Sequence, residues 1–167
     1  MALDDTDPAL VAALYRFAWA LSGAEAGAVA LTLKVLSEEH RPALAAHGSR
    51  ASEVALYSTA FLLHTGGAGL PVPPAHDRVA LMDSLSVQHA DALHAASLLD
   101  SFRELELPQR AALVLFYTTQ CSLHDIAAVL QRSSDEAVAI IARGKAEWLH
   151  ILQHASDRGL PPKKETP

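Results

Sequence analysis

The chain is poor in several things that would each have named a class of protein. It has one cysteine, Cys121, in 167 residues, so no internal disulfide is possible, and the usage fits a reducing compartment. Basic residues are few. Thirteen Lys and Arg stand against nineteen Asp and Glu, giving a net charge of −6, the wrong sign for a protein held to nucleic acid by bulk charge. Neither half is a hidden basic module, since residues 1–70 and residues 98–155 each carry more acid than base. The acidic start, Met1 to Asp7, lacks the basic opening of a secretory signal. The longest uncharged run, Val54 to Ala75, is interrupted by Gly66, Gly67, Gly69, Pro71, Pro73 and Pro74, which leaves only about ten regular apolar residues, too few to cross a bilayer. These absences predict a soluble, cytoplasmic protein with no membrane contact. The segment Gly66-Gly67-Ala68-Gly69 has no Lys or helix start after it, so it is not a phosphate loop. No Ser/His/Asp grouping can be placed, and an enzyme is not expected.

What the chain does have is apolar residues, half of the total, against only 19% charged. That proportion argues for a packed core and against disorder. Strand signals are nearly missing, and the apolar residues recur at helical spacing. Asp7 and Pro8 suit the start of a first helix, along which Leu10, Leu14, Phe17 and Leu21 form one stripe. Ser22-Gly23 ends it. A second helix is predicted to run to about Glu39, with Val29, Leu33 and Leu36 on one face, and a third covers roughly Ser52 to His64. The Gly/Pro segment from Thr65 to Pro74 can continue no regular element. A connecting helix is expected from Asp77 to about Ala96, then about four helices from Leu98 to His154. The reading is therefore all-α: a helical domain over 1–64, a linker and connecting helix over 65–97, a second domain over 98–155, and a polar tail over 156–167.

The most informative stretch is Leu105 to Leu152. Leu107-Pro108 opens a helix that ends near Thr119. Ser122 with Asp125, and Ser133 with Glu136, are two successive capping patterns. They frame a short helix with Ile126, Ala127 and Leu130 on its apolar face, a turn at Gln131-Arg132-Ser133, and a long helix. This is the layout of a helix-turn-helix, and an ordinary packed helix pair has the same spacing.

The residues themselves go further. Leu107-Pro108-Gln109-Arg110, Leu113 to Tyr117, Ser122 to Leu130 and Ala142 to Ala146 resemble, in one ungapped register, region 4 of bacterial sigma factors of the extracytoplasmic-function type. Leu14 to Gly23 resembles the opening helix of region 2 in the same family. The resemblance covers about half of the chain. It implies two small helical domains on a flexible linker, the second a helix-turn-helix of the region 4 type. It also implies partners: RNA polymerase core, promoter DNA and an anti-sigma factor.

The departures from that pattern share a direction. The family's acidic, polymerase-docking register reads Ala28-Val29-Ala30-Leu31-Thr32-Leu33-Lys34 here, and the helix that holds promoter DNA, Ala55 to His64, has no Arg or Lys. In the recognition helix, Val138 and Ile140 stand where basic residues are common, and Gln131 replaces the turn Gly. Ser134, Asp135, Val138, Ala139, Ile140 and Ala142 are the candidate recognition or interface residues. Base readout needs Arg, Asn or Gln with bidentate geometry, whereas Val and Ala reach only a thymine methyl. Arg132, Arg143 and Lys145 remain as phosphate contacts, and two or three such contacts give weak, salt-sensitive binding. The expectation is a sigma-factor-like regulator acting mainly through proteins (an anti-sigma factor, polymerase core or a second copy), with DNA bound weakly or only with polymerase. The alternative is a working initiation factor of that family.

The run Ala137 to Ala142 is apolar all the way round. Such a helix is ordinarily covered on every side, the other reading being a DNA face turned into a protein-binding face. His150 and His154 are four apart and could face the same way, but only Glu147 and Asp157 lie near them at ligand spacing, so no metal and no cofactor is expected. His124 is expected to be exposed, Cys121 buried, and Trp19 and Trp148 in the core.

Overall fold

A computed structural model describes residues 8–37, 49–67, 75–86 and 102–159. The described residues form seven helices and no strand: α1 Pro8–Ser22, α2 Glu25–Val35, α3 Ser49–Thr65, α4 Ala75–Ser86, α5 Leu107–Thr118, α6 Leu123–Leu130 and α7 Ser134–Gly159. The all-α fold class is as expected. Asp7, most of the Gly/Pro segment, residues 87–101 and the polar tail from 160 lie outside the described residues.

Local chemistry accounts for where the helices stop and start. α1 ends where Gly23 takes a left-handed φ of +69°, a region open to glycine, with its N–H on the Trp19 carbonyl at 2.8 Å. α2 stops at Val35, short of the expected Glu39. Its last turn is closed by the Leu36 N–H on Thr32 and by the Ser37 hydroxyl donating to the Lys34 carbonyl at 2.7 Å. The α5 start is secured by the Gln109 side chain, whose Oε1 accepts the Glu106 N–H at 3.0 Å, while Pro108 sits in the first turn where no donor is needed.

The core begins with the α1 stripe. Leu14, Phe17 and Leu21 are buried, with Leu10 at the margin. Phe17 meets Tyr57 of α3 edge to face at 5.2 Å. α2 is buried on nearly every side between α1, α3 and α4, not along one stripe as its sequence suggests. In the second part α7 lies across α5 and α6. Gly144 permits the close approach, because a Cβ there would stand 3.0 Å from the Gln109 Cβ and 3.2 Å from the Leu113 Cδ1.

The two parts pack on one another. α1 lies against α5 and α3 against α6, so that buried residues from Val11 to Ile141 form one continuous core. Burial, and then the nearness of Cys121 and Glu53, push the Tyr57 phenol well above its ordinary range. An α3 side chain thus sits close to the loop that leads into α6. Cys121 is half-buried, and Trp19 and Trp148 are partly buried against the core. No helix among the described residues is long and apolar enough to cross a membrane.

Candidate interaction face on the α6–α7 unit

Two reciprocal caps build the site. The Ser122 N–H and hydroxyl both donate to the Asp125 carboxylate, at 2.8 and 2.7 Å, and the Asp125 N–H donates back to the Ser122 hydroxyl at 3.2 Å. The Ser133–Glu136 pair repeats this arrangement at 2.8, 2.8 and 3.3 Å. Between them Gln131 takes a left-handed conformation, φ 55° and ψ 46°. The Arg132 N–H reaches the Ala127 carbonyl and the Gln131 N–H reaches Ala128, which closes α6 with the paired bonds of a Schellman turn. A side chain in this region costs about 1 kcal/mol or more relative to glycine, so the tight turn is held by the helices on either side. A short capped helix, this turn and a long capped helix thus follow one another in the chain.

The structure then separates the apolar run that opens α7. Ala137 and Ile141 are buried against α5 and α6, and Ile140 is half-buried on the same core. Val138 is 47% exposed, and Ala139 and Ala142 are exposed with it. Ser134 and Asp135 are exposed at the helix start. Of the six candidate residues, five therefore share an open face, while Ile140 is turned partly inward. Among the described residues no neighbour covers that face. The uniform apolar run is not buried on all sides.

Arg132, Arg143 and Lys145 are all exposed, but only the last two lie on α7 itself, and neither falls in its first two turns. The first turn carries Asp135 and Glu136 instead. The Ser133 backbone N–H, its hydroxyl and the nearby Arg132 hold the Glu136 carboxyl below its ordinary range. It stays charged at neutral pH, where it complements the positive helix start and repels a phosphate approaching it.

Two exposed leucines on α7, Leu149 and Leu152, escaped the sequence reading, and the first extends the open face. Leu149 is 46% exposed and continues the spacing of four, three and four set by Val138, Ala142 and Lys145. Extending that spacing along the sequence would have found it. Four residues spaced this way lie along one side of the helix over about 16 Å. His124 is exposed on α6, as expected.

The face can exclude water from an apolar partner surface through Val138, Ala142 and Leu149, and can pair with an acidic group through Lys145 or Arg143. Comparison with protein-family models, curated proteins and solved structures gives no match.

Proposed function

We propose that the chain is a sigma-factor-like transcription regulator whose DNA-contacting surfaces are weakened and which acts mainly by binding a protein. The partner classes are an anti-sigma factor, RNA polymerase core or a second copy of the chain. The observation that carries this reading is the open side of α7. Where a DNA-reading helix needs bidentate polar side chains, it presents Val138, Ala139 and Ala142, preceded by Asp135 and Glu136. The arrangement favours an apolar contact and disfavours a phosphate. No catalytic role is assigned.

A second reading keeps the chain as a working initiation factor of the same type. It is favoured by the exposure of Arg132, Arg143 and Lys145, which could touch a DNA backbone once polymerase holds the duplex in place.

The two readings part in a binding titration. On the first, duplex DNA binds the purified chain only in the non-specific range, about 10⁻⁴ to 10⁻⁶ M at physiological salt, and adding polymerase core produces no promoter-selective complex. Sub-micromolar, sequence-selective binding by the chain alone contradicts the proposal. Promoter-selective transcription by chain plus core establishes the second reading in its place.

A further inference from the structure

The far end of α7 carries a feature unrelated to its apolar stripe. His150 and His154 are both exposed, and one turn of helix sets them side by side. Their rings meet edge to face with centroids 4.3 Å apart, and the two Nε2 atoms are 3.0 Å from each other. At that separation one Nε2–H donates to the lone pair of the other. The same two nitrogens can instead both turn lone pairs toward a shared cation, each ring then carrying its proton on Nδ1.

We propose that His150 and His154 form a two-imidazole clamp for a divalent transition-metal ion, with copper(II) and nickel(II) preferred over zinc. Imidazole nitrogen is a good ligand for all three ions. The preference follows from the spacing. With metal–nitrogen bonds of about 2.0–2.1 Å, two nitrogens 3.0 Å apart subtend an angle of about 91–97° at the ion. That is the angle between adjacent positions of a square-planar or octahedral site, the geometries copper(II) and nickel(II) adopt. A tetrahedral zinc site needs a wider angle, and the rings would have to separate by a few tenths of an ångström. Copper(II) also heads the general affinity order for divalent ions of this row.

No third His, Cys, Asp or Glu completes a cluster with this pair among the described residues. The clamp supplies two adjacent ligands to the ion. Because the ion bridges residues four apart, it ties together two successive turns of α7 and resists fraying of that end.

The test is a titration of the full chain with copper(II), followed by calorimetry and by electron paramagnetic resonance. The expected result is one saturable site per chain, with a spectrum showing two equatorial imidazole nitrogens. His150→Ala and His154→Ala should each weaken it by at least about tenfold, the loss known for removing even an outer-shell partner of a metal. His124→Ala removes an exposed imidazole on another helix and should leave the site intact. All three residues are exposed, so thermal melts of the variants should match the parent. Unchanged binding in both α7 variants, an equal loss in His124→Ala, or no saturable binding by the parent overturns the proposal.

Discussion

Two stretches of this chain are nearly interchangeable as sequence and are treated oppositely by the fold. Ala28 to Leu33 in α2 and Ala137 to Ala142 in α7 are both uncharged runs built from Ala, Val, Leu and Ile, with Thr32 as the one hydroxyl among them. α2 is enclosed by α1, α3 and α4, and every residue from Ala28 to Leu33 is buried. Among the described residues α7 packs chiefly on α5 and α6, and half of its run is exposed. An all-round apolar helix is normally buried all round, and α2 obeys the rule. The outer side of α7 is the exception, since burying such residues is favourable by about 25 cal/mol per Å² and the described residues leave them uncovered.

Truncation should separate the two runs sharply. Leu31 is fully buried, so Leu31→Ala should cost about 2–5 kcal/mol. In a domain of this size that lowers the melting temperature by roughly 4–20 °C. Val138→Ala should stay within about 0.5 kcal/mol of the parent. Equal losses in a thermal melt would break the comparison.

The covered and open sides of α7 can be compared next. Gly144→Val places a branched side chain against Gln109 and Leu113, and should cost about 1–3 kcal/mol through overpacking. Ala142→Val, on the exposed side, should be nearly neutral. Denaturant midpoints of the two variants measure the difference.

The turn that sets α7 on its course gives a smaller effect of opposite sign. Gln131 holds φ 55°, and glycine adopts that region without strain. Gln131→Gly should stabilise the chain by up to about 1 kcal/mol, read as a higher urea midpoint. A loss of stability would mean that the Gln131 side chain makes a contribution its exposed position does not suggest.

The smallest expected effect is electrostatic. The Glu136 carboxyl is held below its ordinary value of 4.5 by the Ser133 hydrogen bonds and Arg132. A depressed folded value means that the contribution is fully present above about pH 4.5 and is lost as pH falls through the folded value. Glu136→Gln should therefore flatten the acid limb of the stability–pH curve, leaving the variant slightly less stable than the parent above about pH 4.5 and bringing the two together at low pH. A parallel shift of the whole curve would contradict the assignment.

Much of the fold was legible because its signals are local. The spacing of Leu10, Leu14, Phe17 and Leu21 marks the α1 stripe, and Ser122/Asp125 and Ser133/Glu136 mark two helix starts, because a capping box is complete within four residues. The end of α2 was not legible. It depends on a Ser37 hydroxyl turning back to Lys34, and nothing in the run from Val35 to Glu39 forbids another turn. Nor does any local pattern state that α1 meets α5 or that α3 meets α6, since such pairings are set by which faces remain uncovered after each part has formed. The candidate face shows the same limit. Most of its residues were identifiable from the capping pattern that opens α7, but Ile140 is half inward and Leu149 outward according to where α5 and α6 lie. The approach of His150 to His154 was foreseeable as a shared face, though not as a 3.0 Å contact.

The central claim is that the outer side of α7 is a protein-binding face and not core. The most direct test compares tagged parent chain with Val138→Glu for the protein each retains from its source cell, using thermal melts to confirm folding. An exposed Val made acidic costs little in the free chain, whereas in a complex it buries an unpaired charge. The account predicts that the parent retains a specific protein in stoichiometric amount, and that Val138→Glu loses it while melting within about 2 °C of the parent. A variant that still holds the partner, or that melts many degrees lower, would contradict the account.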